Sequence, residues 1–210
     1  MNPTEWRTYL VTGASRSAGR DTETVVEAAL AGGVDVVQLR EKDVNDAERY
    51  ELGRRLRELT ADAGVPLVVN DRIDIAAAIG ADGVHLGQSD LPVAVAREQL
   101  GDAAALGVSA STVEQARAAE AAGADYLGVG AVYGTDSKAV SGDRNGIGTE
   151  RVAAVVDAVD VPAIGIGGID ASNAAPVVEA GATGVAALSA ITAAADPKAA
   201  TAALREAVTE

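Results

Sequence analysis

Short runs of Val, Ile and Leu recur along the chain at 9–12, 34–39, 66–69, 83–86, 105–108, 126–129, 162–166 and 184–188. Each has strand length, which gives eight candidate strands. Between them lie Ala- and Glu-rich segments such as 22–31, 47–63, 113–122 and 173–180, with apolar residues at helical spacing. Strand and helix in alternation predict a parallel sheet.

A weak internal repeat supports the count of eight strands. Ala31-Gly32-Gly33-Val34-Asp35, Gly80-Ala81-Asp82-Gly83-Val84, Gly123-Ala124-Asp125-Tyr126 and Gly181-Ala182-Thr183-Gly184-Val185 each end a helix and open a strand. Glycine there supplies the left-handed stop that a helix end requires. Four copies of one junction point to a cyclic architecture, although an open doubly wound sheet could share the junction. The longest irregular stretch, 134–148, reads as an active-site loop.

At 210 residues, with no linker or composition break, the chain predicts one (β/α)₈ TIM barrel, a single α/β domain over residues 1–210. Hydrophobic residues make up 48% of it but aromatics only 2%, with no Phe, so the core must be built from Ala, Val, Leu and Ile.

Charge narrows the partners. Acidic residues outnumber basic ones 31 to 17, for a net charge of −14, and the Lys residues are Lys42, Lys138 and Lys198 only. Such a surface repels nucleic acid and anionic membranes, so neither is expected as a partner. An anionic substrate must instead be drawn in by local positive groups. Scarce Lys beside abundant Asp and Glu also points to a high-salt cytoplasm, where screening tolerates self-repulsion. Without Cys there is no disulfide, thiolate metal site or thiol nucleophile. No leader-like segment opens the chain and no stretch reaches the length of a membrane span. The expectation is a cytoplasmic protein acting on small molecules, with a homo-oligomer left open.

In such a barrel the site lies at the C-terminal ends of the strands. Reading those ends in order gives Gln38-Leu39-Arg40-Glu41-Lys42, Asn70-Asp71-Arg72, Gly87-Gln88-Ser89-Asp90, Ser109-Ala110-Ser111-Thr112, Gly134-Thr135-Asp136-Ser137-Lys138, Gly167-Gly168-Ile169 and Leu188-Ser189. Asp71 and Asp90, at the ends of adjacent strands, could share a divalent cation such as Mg²⁺, which takes one or two carboxylates together with phosphate oxygens. They could equally be helix N-caps. Arg40, Lys42 and Lys138, with Asn70 and Ser109, could surround a diphosphate through charge-assisted hydrogen bonds, or form a solvated rim with pairs such as Arg40 and Glu41. Gly167-Gly168 and Ser189 match the place where these barrels hold a phosphate on backbone N–H groups, although tight turns also need Gly. His85, within a strand, reads as a packed residue. Tyr126 and Tyr133 read as packing or pocket-lining, Trp6 as a cap on the barrel bottom, and Arg54, Arg55 and Arg57 as an outer helix face.

Together these segments resemble the thiamine phosphate synthase family. The residues carrying the resemblance are Gln38 to Lys42, Asn70-Asp71-Arg72, Gly83-Val84-His85-Leu86-Gly87-Gln88-Ser89-Asp90, Gly107-Val108-Ser109, Thr135-Asp136-Ser137-Lys138, Ile166-Gly167-Gly168-Ile169 and Ser189-Ala190-Ile191. They keep the family's order, and the match runs from about Tyr9 to Ala207. The resemblance implies that 4-amino-2-methyl-5-hydroxymethylpyrimidine diphosphate binds through Gln38, Leu39, Arg40, Glu41, Lys42, Asn70, Ser109 and Lys138. It implies Mg²⁺ at Asp71 and Asp90, and thiazole phosphate at Thr135, Asp136, Ser137, Gly168, Leu188 and Ser189. Arg40, Lys42, Ser109 and Lys138 would assist departure of pyrophosphate as the thiazole nitrogen attacks the pyrimidine methylene.

Three positions depart from the family pattern: Ser111 stands where His is frequent, Ala131 for Pro, and Ser137 for Thr. Ser137 keeps the hydroxyl, whereas Ser111 removes an imidazole from the diphosphate side. Competing readings are a thiazole tautomerase relative, which would not need the diphosphate set, and a catalytically silent phosphate-binding barrel, against which Asp71, Asp90 and Lys138 argue. A phosphosugar isomerase would want a facing acid and base, and no such pair stands out.

Overall fold

The computed structural model describes residues 1–134 and 146–209. Its strands are β1 (Thr8–Val11), β2 (Val36–Leu39), β3 (Leu67–Asn70), β4 (Gly83–Leu86), β5 (Ala105–Ala110), β6 (Tyr126–Gly130), β7 (Ala163–Ile166) and β8 (Gly184–Ala187). All pair in parallel with their sequence neighbours, and β8 closes onto β1. The predicted strand ends are therefore met within two residues, and the open-sheet alternative is excluded.

Around the barrel lie α1 (Thr22–Ala31), α2 (Asp46–Asp62), α3 (Ile73–Ile79), α4 (Val93–Leu100), α5 (Val113–Ala121), α6 (Gly148–Val156), α7 (Ala175–Glu179), the short α8 (Ser189–Thr192) and α9 (Pro197–Thr209). Among the described residues no helix is long and apolar enough to cross a membrane. Local chemistry sets several starts. Asp21 accepts from the Thr24 N–H at the head of α1, Thr112 does the same for Gln115 ahead of α5, and Asn45 with Glu48 forms a capping box before α2.

A period of two along each strand divides the interior into two cores. Outward residues such as Leu10, Leu39, Leu67, Leu106 and Leu127 pack against the helices. Each is buried to 1% exposure or less, worth roughly 1.5–3 kcal/mol apiece. Inward residues Tyr9, Val11, Val36, Val68, Ala105, Tyr126, Ile164 and Ala186 fill the barrel itself. Trp6 closes the bottom as expected, its ring 5.0 Å from Tyr126 and 6.0 Å from Tyr9, both edge-to-face.

The repeated junction has a physical role beyond the helix stop. Gly33, Gly80, Gly123 and Gly181 do take positive φ, as the left-handed stop requires. In three of the four copies an acidic residue then clasps the neighbouring strand. Asp35 accepts from the Thr8 N–H at 2.8 Å, Asp82 from Leu67 at 2.8 Å and Asp125 from Leu106 at 2.8 Å. Each carboxylate is paired with an arginine, Arg205, Arg57 and Arg97 respectively. Arg57 thus belongs to a clasp around the barrel floor, which corrects its reading as a plain outer face. Arg55 pairs with Glu23 and Arg54 with Glu58 on the surface.

Tyr9 is buried, and that burial pushes its hydroxyl up to about 12. A tyrosine held neutral in this way stabilises the fold at and below its unfolded pKa of about 10, and that contribution is lost as pH rises toward 12. Wild-type stability should therefore fall more steeply between about pH 10 and 12 than that of Tyr9→Phe. Denaturation midpoints measured across that range check the difference, and parallel curves would contradict it.

Candidate active site

The inward residues stop short of filling the upper barrel, which holds a cavity of about 370 Å³ open at the C-terminal strand ends. Gln38, Arg40, Asn70 and Ser109 line one side of it, and Gly168, Leu188 and Ser189 line another. The structure thus brings seven of the sequence-predicted residues to one cavity. The remaining ones distribute differently.

Leu39 points outward into the helix-facing core, so only its backbone is available to a ligand. Glu41 is 5% exposed, and its carboxylate accepts from the Ala14 N–H and the Thr22 hydroxyl, both at 2.8 Å. That carboxylate ties down the β1–α1 loop, and its partners replace the rim pair with Arg40 considered from sequence. Arg40 is half-buried, and burial lowers its pKa, with Asp71 acting in the opposite direction. A guanidinium at a cavity wall offers planar, charged N–H donors of the kind that suit an anion.

Lys42 lies at the rim, Nζ 3.4 Å from Asp71 Oδ2. Asp71 and Asp90 do not cap helices: Arg72 and Pro92 occupy the positions before α3 and α4, with no side-chain cap bond at either. Asp71 sits at φ +63°, its N–H bonded to the His85 carbonyl. Its carboxyl is raised above the ordinary value by burial, then by a hydrogen bond and like charge from Asp90, with Lys42 opposing. Asp90 also accepts from the Gly87 N–H at 2.6 Å, closing the turn after β4. The two carboxylates therefore face each other, an arrangement that a hard cation with oxygen preference would relieve. Among the described residues no group of three or more His, Cys, Asp or Glu side chains stands together as a metal site.

On the opposite side, Gly167 and Gly168 take φ of +108° and +66°. A Cβ on Gly168 would lie 2.8 Å from the Gly134 carbonyl oxygen and 2.9 Å from Tyr133 Cβ. Glycine is required here both for the backbone and for the close approach of the loops after β6 and β7. Thr135, Asp136, Ser137, Lys138 and most of the expected loop lie outside the described residues.

Tyr126 lines the cavity, as one of its two sequence readings had it, and beside it on the cavity floor stand Tyr9 and His85, which sequence reasoning did not place there, together with Ile164 and Ile166. His85 is packed, as expected, and also hydrogen-bonded to Tyr126 and Ser109. The alternation along β1, β4 and β6 was the signal, since Tyr9, His85 and Tyr126 fall on inward positions. Tyr133 instead donates to the Asn173 carbonyl. Ser111 is turned toward α5, its N–H and hydroxyl both near Gln115 Oε1 at 2.8 and 3.0 Å.

The profile of the thiamine monophosphate synthase family matches residues 8–191. Curated thiamine-phosphate synthases are 64% identical over 200 residues in Natronomonas pharaonis, covering 95% of this chain and 94% of that protein, and 60% identical in Haloarcula marismortui, covering 97% of each. A solved thiamine phosphate pyrophosphorylase from Pyrococcus furiosus superimposes with a TM-score of 0.89 at 37% identity, over 98% of this chain and 96% of that one. With that sequence agreement on the same barrel, the chain belongs to the thiamine monophosphate synthase family.

Proposed function

We propose that this chain, a transferase of the thiamine-phosphate synthase family, joins 4-amino-2-methyl-5-hydroxymethylpyrimidine diphosphate to 4-methyl-5-(2-phosphoethyl)thiazole, or its carboxylated form, and releases pyrophosphate. The observation that carries this reading is one cavity with two unlike sides, each suited to an anion. One is cationic and hydroxyl-bearing (Arg40, Asn70, Ser109, with Lys42 at the rim), and the other is a glycine turn with Leu188 and Ser189.

The first side suits a leaving diphosphate. Arg40, Lys42, Ser109 and the loop residue Lys138 would stabilise negative charge as the carbon–oxygen bond to the pyrimidine methylene breaks. Asp71 and Asp90 would hold Mg²⁺, which when bound neutralises charge on the diphosphate. Positive charge developing on the methylene is supported by the electron-rich aminopyrimidine, so the protein supplies no covalent nucleophile. The thiazole, anchored through its phosphate at Gly168, Leu188, Ser189 and the loop residues Thr135, Asp136 and Ser137, presents its nitrogen to that carbon. Apolar Val11, Ile164 and Ile166 line part of the cavity, and with substrates bound such walls would limit the access of water to the cation. We read the chain as one catalytic domain, cytoplasmic, with small phosphorylated molecules as its partners rather than nucleic acid or membrane.

The two sides can be tested separately. Arg40→Ala should raise KM for the pyrimidine diphosphate by about tenfold or more, the loss of about 1.5–3 kcal/mol from a charged hydrogen bond, with little change for the thiazole phosphate. Gly168→Ala should show the reverse selectivity. Equal effects on both substrates in both variants would contradict the division of the cavity.

A further inference from the structure

Five side chains form an unbroken hydrogen-bonded line across the barrel interior. Gln38 Nε2 lies 2.7 Å from the Tyr9 hydroxyl, which lies 3.0 Å from the Tyr126 hydroxyl. Tyr126 is 3.2 Å from His85 Nδ1, and His85 Nε2 is 3.0 Å from Ser109 Oγ. The line begins and ends on residues assigned above to the substrate, while its three middle members are 2%, 0% and 9% exposed for Tyr9, Tyr126 and His85. Space for the rings is made by glycine: a Cβ on Gly107 would lie 2.5 Å from His85 Nδ1 and would run into Tyr126, and one on Gly128 would lie 2.8 Å from His85 Cε1.

Hydroxyls and a neutral imidazole can pass protons along such a line in either direction, but Gln38 removes the choice at one end. Its Nε2 only donates, so the Tyr9 oxygen accepts there. The Tyr9 proton then has one acceptor in the line, the Tyr126 oxygen. Tyr126 in turn donates to His85 Nδ1, which leaves the imidazole proton on Nε2 and directed at Ser109. Run the other way, the Tyr9 hydroxyl would point at an amide NH₂ group, leaving a buried donor unmatched, which folded proteins avoid.

We propose that Tyr9, Tyr126 and His85 are positioning residues that transmit the orientation of the Gln38 amide to Ser109, with His85 held as the neutral Nε2–H tautomer. Ser109 accepts from His85, so its own proton is directed away from the imidazole as a donor to diphosphate oxygen. At the other end, the Gln38 carbonyl oxygen faces away from Tyr9 as an acceptor. The link from Ser109 to diphosphate rests on the function proposed above, whereas the tautomer does not.

The chain has one His, so a long-range ¹H–¹⁵N correlation spectrum of ¹⁵N-labelled protein reads a single imidazole without assignment. The ligand-free protein at neutral pH should show a protonated Nε2 and a bare Nδ1. In Gln38→Glu the carboxylate can only accept, the line reverses, and the proton should move to Nδ1. In Tyr9→Phe, which removes a single oxygen, the line is cut and both tautomers should be populated. The same variant should raise KM for the pyrimidine diphosphate roughly three- to tenfold, the loss of one hydrogen bond's orientation, and leave that for thiazole phosphate unchanged. A wild-type Nδ1–H tautomer or an imidazolium would overturn the proposal, as would a tautomer indifferent to both substitutions. The stated tautomer with an unchanged KM in Tyr9→Phe would overturn the role of Ser109 alone.

Discussion

Asp71→Asn is expected to lower turnover at least about tenfold, about 1.4 kcal/mol in the barrier, while leaving the protein folded and no less stable. The two effects have one cause. Burial and the facing Asp90 disfavour the charged form of Asp71, so in the metal-free protein its ionisation opposes folding. A group whose folded pKa is raised stabilises at low pH and loses that contribution as pH rises past its unfolded value. Removing the charge should therefore relieve strain near neutrality even as it removes half of the cation's carboxylate pair. Asparagine is the informative replacement because Asp71 sits at φ +63°, a region that Asn adopts more readily than Ala. Turnover with Mg²⁺ and thermal midpoints in EDTA check both signs. Full activity would remove Asp71 from the mechanism, and a large loss of stability would make its role structural.

Gly107→Ala should destabilise the protein by about 1–3 kcal/mol, since the added methyl must displace two rings in a closed barrel. For a chain of this size that is a drop in Tm of roughly 2–12 °C. Gly128→Ala should cost less, because the nearest atoms to its added Cβ all belong to His85. Combining Gly128→Ala with His85→Ala should recover part of that loss, and the shortfall from additivity measures the contact. Additive losses would show that the clash is relieved elsewhere in the barrel.

Much of the fold was legible because its signals are local. Gly80 and Gly123 mark helix stops through backbone sterics alone, and the run from Leu67 to Val69 is apolar because both sheet faces are covered. The site's location followed once the strands were placed, since Arg40, Asn70 and Ser109 each lie within one residue of a strand's C-terminal end. What remained hidden depends on partners distant in sequence. Nothing near Glu41 reveals that its carboxylate serves Ala14 and Thr22, and nothing near Asp125 reveals its bonds to Leu106 and Arg97. Two readings of Asp71 were equally open until the backbone placed Arg72, not Asp71, at the head of α3. His85 and Tyr126 are 41 residues apart, and only closure of the barrel makes them neighbours.

The most direct test of the account is conversion of the pyrimidine diphosphate and thiazole phosphate by purified protein with Mg²⁺, at low and at molar salt, with thiamine phosphate and pyrophosphate both quantified. The account predicts the two products in equal amounts, their loss on addition of EDTA, and activity retained at molar salt. Folded protein that forms neither product at either salt would contradict it, as would products whose yield ignores EDTA.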